Sequence, residues 1–185
     1  MGYLHIISGS MFSGKTTRLI ELFYEYNVND NILIFNHCID QRYSKEAFIT
    51  THNLEKVVCN QIDHLDQIKL HPNYKQTNIV MIDEIQFFND VKTIIMDMVE
   101  IDNKHVIIAG LLTDADRNVF GDMIDLIPYA DVYEQKYSKC YFCDTHKGLF
   151  TLRKTQSNCV VDVGSSDKYI SVCREHYKKY HYLKK

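Results

Sequence analysis

Little in this sequence points away from a folded, water-exposed chain. Two of its 185 residues are proline and seven are glycine, which excludes a collagen-like or proline-rich disordered polymer. No run approaches the roughly 20 apolar residues of a membrane span, so no membrane partner is expected. The opening stretch, MGYLHIISGSMFSGK, has no basic leader and no long apolar core, so no signal peptide is expected. Ile6 stands where a myristoylation signal needs serine or threonine. A positive surplus is also lacking. The net charge is −3 and the pI about 6.3, whereas proteins that track a phosphate backbone are usually basic. Nucleic acid is therefore not an expected partner, and the basic end HYKKYHYLKK reads as a solvated terminus.

Hydrophobic residues make up 45% and charged residues 24% of the chain. That balance suits one globular domain with a sizeable core and room for a small appendage. Six cysteines are present: Cys38, Cys59, Cys140, Cys143, Cys159 and Cys173. Without a secretory signal they are expected to be reduced, which favours metal binding or packing over a disulfide framework.

Along the chain, short apolar runs alternate with helical patterns. Residues 3–9, 31–36, 56–59, 79–84 and 105–110 read as strands, and 16–27, 61–70 and 90–101 as helices. Residues 38–54 read as a polar loop. The alternation predicts right-handed βαβ units around a parallel sheet. Near residue 137 the pattern changes to short strands and turns. The expected organisation is an α/β domain over 1–137 and a smaller unit over 138–185.

GSMFSGKTT, residues 9–17, fits G-x-x-x-x-G-K-[ST] between a predicted strand and a predicted helix. Gly9 and Gly14 permit a tight turn whose backbone N–H groups point at phosphate oxygens. The helix adds the positive end of its dipole. Lys15 would neutralise phosphate charge, and the Thr16 hydroxyl would bind Mg²⁺. The bland alternative is an ordinary glycine-rich turn. IVMIDEIQFF, residues 79–88, supplies an acid, Asp83, at the end of a strand expected to lie beside the phosphate-loop strand. Glu84 follows. If a sugar hydroxyl attacks the γ-phosphate, Glu84 is the general base of a kinase; if water does, the protein is an ATPase.

The end of the chain carries Cys140-x2-Cys143, then 29 residues, then Cys173-x2-His176. Two such pairs can close a tetrahedron around zinc, and four protein ligands make a structural site with no open position. Unlinked core thiols and a surface histidine are the alternative. The intervening GLFTLRK and NCVVDVG read as two strands.

Taken in order, SGSMFSGKTT, IDEIQFF, AGLLTDADRNVF, the C-x2-C pair and GSSDKYISVCREHY resemble the type II thymidine kinases over nearly the whole chain. The combination is specific, although no one motif is. The resemblance implies a RecA-like P-loop sheet and a small zinc-ribbon domain whose lasso loop closes over thymidine. It implies phosphorylation of the thymidine 5′-hydroxyl, and that of deoxyuridine, by ATP with Mg²⁺ and a structural Zn²⁺. A cytoplasmic homotetramer inhibited by dTTP is implied as well. By position, Gly9, Ser10, Met11, Phe12, Ser13, Gly14, Lys15 and Thr16 match the ATP loop. Asp83, Gln86 and Arg153 match further ATP contacts, Thr16 and Asp83 the magnesium site, and Glu84 the general base. Met11, Phe87, Leu111, Ala115, Phe120 and Tyr169 match the nucleoside pocket. Val160, Val161, Asp162, Val163 and Gly164 match the lasso segment whose backbone reads the thymine edge.

The chain departs from the family pattern at several points. Ala115 replaces an aromatic, removing a stack worth about 1 kcal/mol. Asn53 and Leu54 stand where an acid and a basic residue are frequent. Ser10 replaces a proline, His176 a fourth cysteine, and Ser165 a second glycine. A kinase for another nucleoside keeps the same fold with a reshaped pocket. A zinc-ribbon ATPase is the competing class, and the negative charge counts against it.

Overall fold

A computed structural model of the chain describes residues 1–26, 31–39, 48–50, 56–154 and 168–182. The N-terminal apolar run forms β1 (Tyr3–Gly9), with five consecutive buried residues, as befits a strand covered on both faces. A glycine-bearing turn leads into α1 (Lys15–Tyr26), which buries Leu19, Ile20 and Leu22. Then come β2 (Ile32–His37), β3 (Phe48–Thr50), β4 (Lys56–Val58) and β5 (Asn60–Ile62). They are followed by α2 (Gln67–Leu70), β6 (Ile79–Ile82) and α3 (Val91–Met96), which continues as a π-helical turn over Asp97–Ile101. β7 (His105–Gly110) and β8 (Val132–Lys136) follow.

Six of these strands make one parallel sheet in the order β5-β2-β6-β7-β1-β8. Alternation along each strand divides the core into two layers. Leu4 and Ile6, Leu33 and Phe35, Val80 and Ile82, and Val106 and Ile108 face one layer with α3. Ile7, Ile34, Ile79, Met81, Ile107 and Ala109 face the other, against α1. The fold is thus the expected parallel α/β sheet with helices on both faces. The carboxyl ends of β1, β2, β6 and β7 gather along one edge, where open α/β sheets bind ligands.

The C-terminal part is built differently. β9 (Ser138–Lys139) pairs antiparallel with β10 (Lys147–Gly148), and β11 (Phe150–Arg153) with β12 (Tyr169–Val172). α4 (Arg174–Tyr182) closes the unit. Its small core is Cys140, Leu152, Ile170, Val172, Cys173 and Tyr177.

Several expected elements differ. The helix expected over 61–70 is an edge strand, β5, followed by a bend and only four helical residues. Residues 56–58 pair with β3 in a separate two-stranded hairpin, so 48–50 are not loop. β8 lacked any apolar run to mark it. β11 pairs with β12; the NCVVDVG stretch lies outside the described residues.

Candidate active site

The turn after β1 is shaped by what cannot fit beside it. A Cβ at Gly9 would collide with the Lys136 carbonyl at the end of β8. Gly14 has φ +85°, a conformation that glycine adopts without strain. Between them Phe12 takes φ 61°, which a residue with a side chain holds only where its surroundings impose it. Lys15 is buried, and its Nζ donates to the Ser10 carbonyl at 3.0 Å. The Ser13 hydroxyl is buried with no hydrogen-bond partner among the described residues, a polar atom that a bound phosphate would satisfy. The loop's donors and lysine fit an anion of that kind.

Thr16 Oγ1 donates to Asp83 Oδ2 at 2.8 Å. The strand carrying Asp83 is not beside the loop strand, contrary to expectation: β7 lies between β6 and β1. The contact survives because α1 packs over both β1 and β7, which carries its first turn toward the end of β6. The other carboxylate oxygen, Oδ1, accepts the Glu84 N–H at 3.0 Å. A hydroxyl and a carboxylate so placed are hard oxygen ligands suited to Mg²⁺.

Glu84 is buried and sits at φ 53°, the left-handed region. Its Oε2 accepts from Gln86 Nε2 at 2.6 Å. Gln86 Oε1 accepts the Leu111 N–H at 2.9 Å. The space around Gln86 is left by two glycines. A Cβ on Gly110 would meet its Oε1 at 2.6 Å, and one on Gly121 its carbonyl oxygen at 2.6 Å. One amide side chain therefore joins Glu84 to the segment after β7.

That segment folds on itself. Asp114 Oδ1 accepts the N–H groups of Asp116 (2.9 Å) and Asn118 (2.8 Å), and Phe120 N–H donates to Leu112 O at 3.0 Å. Phe120 and Phe87 meet edge to face at 5.5 Å. Ala115 is buried, and its carbonyl accepts the Tyr177 hydroxyl at 2.7 Å. Tyr169 is buried opposite Arg153, whose guanidinium lies 5.5 Å from its ring.

Farther along, Cys140, Cys143, Cys173 and His176 hold their ligand atoms within 4.8 Å of one another. His176 Nδ1 lies 3.2 Å from Cys173 Sγ and 3.5 Å from Cys140 Sγ. Tetrahedral zinc, with Zn–S about 2.3 Å, sets its sulfurs about 3.7 Å apart, so small side-chain rotations close the site. Hydrogen bonds from Thr145 and then His146 pull the Cys143 thiol down to about 5, and the thiolate is the ligating form. Burial pushes the Cys173 thiol up. Three thiols and an imidazole fit a structural zinc.

The family model described as thymidine kinase matches residues 2–177. The chain belongs to the thymidine kinase family. A thymidine kinase of Oryza sativa subsp. japonica is 35% identical over 95% of this chain and 66% of its own length. That of Choristoneura fumiferana entomopoxvirus is 34% identical over 92% and 94%. That of Fowlpox virus is 33% identical over 94% and 96%. Among solved structures, domain III of the Thermotoga maritima replication initiation protein DnaA has a TM-score of 0.39 and 11% identity over 73% of this chain and 55% of its own. It is too distant to bear on fold or function.

Within this thymidine kinase family member, Ser10 to Thr16, Asp83, Glu84 and Gln86 cluster at one sheet edge. Val160, Val161, Asp162, Val163 and Gly164, like Asn53, Leu54 and Ser165, lie outside the described residues. Thr151 and Ser171 were missed. Both reach Met11, and no sequence periodicity marks a contact made across 140 residues. No helix among the described residues is long and apolar enough to cross a membrane.

Proposed function

We propose that the protein transfers the γ-phosphoryl group of ATP to the 5′-hydroxyl of thymidine, and to that of deoxyuridine. Its relatives are named thymidine kinase, which supplies the nucleoside. The observation that supports the chemistry best is the meeting of Thr16 with Asp83 at 2.8 Å, with Glu84 next in the chain. The loop N–H groups and Lys15 bind the phosphates. Thr16 and Asp83 would hold Mg²⁺, which would offset charge on the phosphate oxygens.

Glu84 accepts the proton of the attacking 5′-hydroxyl. The new O–P bond forms at the γ-phosphorus as its bond to the β–γ bridging oxygen breaks, and ADP leaves. The thymine ring occupies the space near Phe87, Phe120 and Tyr169. Arg153 lies on the phosphate side. Cys140, Cys143, Cys173 and His176 would hold Zn²⁺, which would supply folding free energy to the C-terminal unit. The homotetramer and the inhibition by dTTP belong to this reading and rest on the family resemblance.

The test is incubation with Mg-ATP and each natural nucleoside, with ADP and nucleoside monophosphate measured together. Thymidine monophosphate formed one-for-one with ADP is expected. ADP without monophosphate would make water the acceptor and the protein an ATPase. The missing aromatic at Ala115 predicts a thymidine preference weaker by roughly one stacking contact, on the order of fivefold.

A further inference from the structure

Met11 lies inside the nucleotide loop, yet both of its backbone polar groups are held from elsewhere. Its N–H donates to Thr151 Oγ1 at 3.0 Å. Its carbonyl accepts from Ser171 Oγ. Thr151 and Ser171 stand directly opposite each other across the antiparallel β11–β12 pair, so their side chains leave the same face. One residue of the loop receives both. The pattern copies the pair of bonds by which a strand grips a single residue of its neighbour, with hydroxyls in place of peptide groups.

A third tie lies beside it. Ser10 Oγ donates to the Gly148 carbonyl at 2.7 Å and stands 3.2 Å from Ser171 Oγ. Each hydroxyl has one proton. With the proton of Ser10 on Gly148 and that of Ser171 on Met11, the hydroxyl–hydroxyl contact adds no bond. The ties span 138 to 160 residues of sequence and are buried or partly buried. Within the loop itself Ser13 N–H donates to Ser10 O at 3.3 Å and Lys15 Nζ to the same carbonyl at 3.0 Å. Phe12, held at φ 61°, follows Met11 immediately. A strained residue of that kind persists where neighbours fix both its flanks. Met11 fixes one flank, and the turn into α1 fixes the other. The N–H of Met11 is turned to Thr151, so the donors available to phosphate come after it.

We infer that Thr151 and Ser171 are positioning residues for the nucleotide loop. The metal-bearing unit sets the loop that receives the phosphates of ATP, besides any part its own loop plays at the nucleoside. Both hydroxyls act through the Met11 backbone. The inference rests on the ATP reading above.

The test uses the full, zinc-loaded chain with Thr151→Val, Thr151→Ser, Ser171→Ala and the Thr151→Val/Ser171→Ala double variant. Four quantities are read: hydrogen exchange at the Met11 amide, ATP affinity by calorimetry, the KM for thymidine, and zinc per chain. Thr151→Val keeps the shape and removes the acceptor. It should speed Met11 exchange and weaken ATP about five- to tenfold, on the order of one lost hydrogen bond, a larger effect than any on the KM for thymidine, with zinc content unchanged. Thr151→Ser should behave as the wild type. The double variant should cost less than the two single effects combined, because both hold one residue.

Unchanged ATP affinity in Thr151→Val overturns the clamp. So does equal weakening of ATP and thymidine accompanied by zinc loss, which marks a general fault in the unit. A wild type that protects Met11 but binds no ATP would instead sink the functional reading, and the clamp's role with it.

Discussion

Glu84 is fixed from three directions: a left-handed backbone at φ 53°, an N–H bound to Asp83, and a carboxylate bound to Gln86. Glu84→Gln keeps the size and can still accept from Gln86, but it cannot take a proton. We expect kcat to fall by about 100-fold or more with ATP affinity unchanged, read by steady-state kinetics beside calorimetry. Near-normal turnover would remove Glu84 as the base. Gln86→Leu leaves the partly buried Leu111 N–H without its acceptor and removes one donor from Glu84. A loss of about 1–3 kcal/mol in stability should accompany a kcat reduced roughly tenfold, with ATP affinity the least affected quantity. A drop confined to ATP binding would return Gln86 to the nucleotide side, where the resemblance set it. The glycine-bearing loop after β1 was legible at this scale because its pattern is written in nine consecutive residues. The partner of Gln86 was not, because Leu111 approaches it only through folding.

Elements were legible where burial is continuous. β1 and β7 occupy the residues expected, since a doubly covered strand shows an unbroken apolar run. β8 was hidden. It is an edge strand whose residues alternate between half-buried and exposed, and Val132-Tyr133-Glu134-Gln135-Lys136 has no apolar run to read. In 61–70, Ile62, Leu65 and Ile68 recur at helical spacing, yet Ile62 is taken by pairing with β2. β8 also carries a titration consequence. Its Glu134 meets His5 of β1 at 2.9 Å, with Arg18 of α1 on the same carboxylate. Burial pulls the His5 imidazole below its ordinary value of 6.5, outweighing the opposing pull of Glu134. The neutral ring is the form favoured by the fold, so the unfolded chain takes up a proton first as pH falls. The contribution of His5 is therefore full above about pH 6.5 and lost as pH drops through its folded value. Melting temperature should decline from pH 7 toward pH 5, and His5→Gln should flatten that decline. An unaltered slope would show that other groups govern it.

For the whole molecule, the two halves of the metal set lie 29 residues apart in sequence and converge within 4.8 Å, as their spacing suggested. Metal analysis of unchelated protein should give about one zinc per chain, following the four-ligand logic, and a strong chelator should lower the melting temperature. Protein free of metal yet equally stable would show that the hydrophobic packing of Leu152, Val172 and Tyr177 suffices alone. What the sequence could not reveal is that this unit reaches back to the start of the chain. Thr151 reads as an ordinary strand residue, and nothing in the sequence marks Ser171, until β11 and β12 are laid against the loop.

Because Met11 is gripped from the unit that carries the candidate metal ligands, a metal at one end of that grip would be thermodynamically tied to ATP at the other. Such ties are reciprocal. If the metal favours the loop conformation that receives ATP, then ATP must favour retention of the metal by the same factor. A non-hydrolysable ATP analogue should slow the transfer of zinc to a chromogenic chelator in the wild type, and slow it less in Thr151→Val.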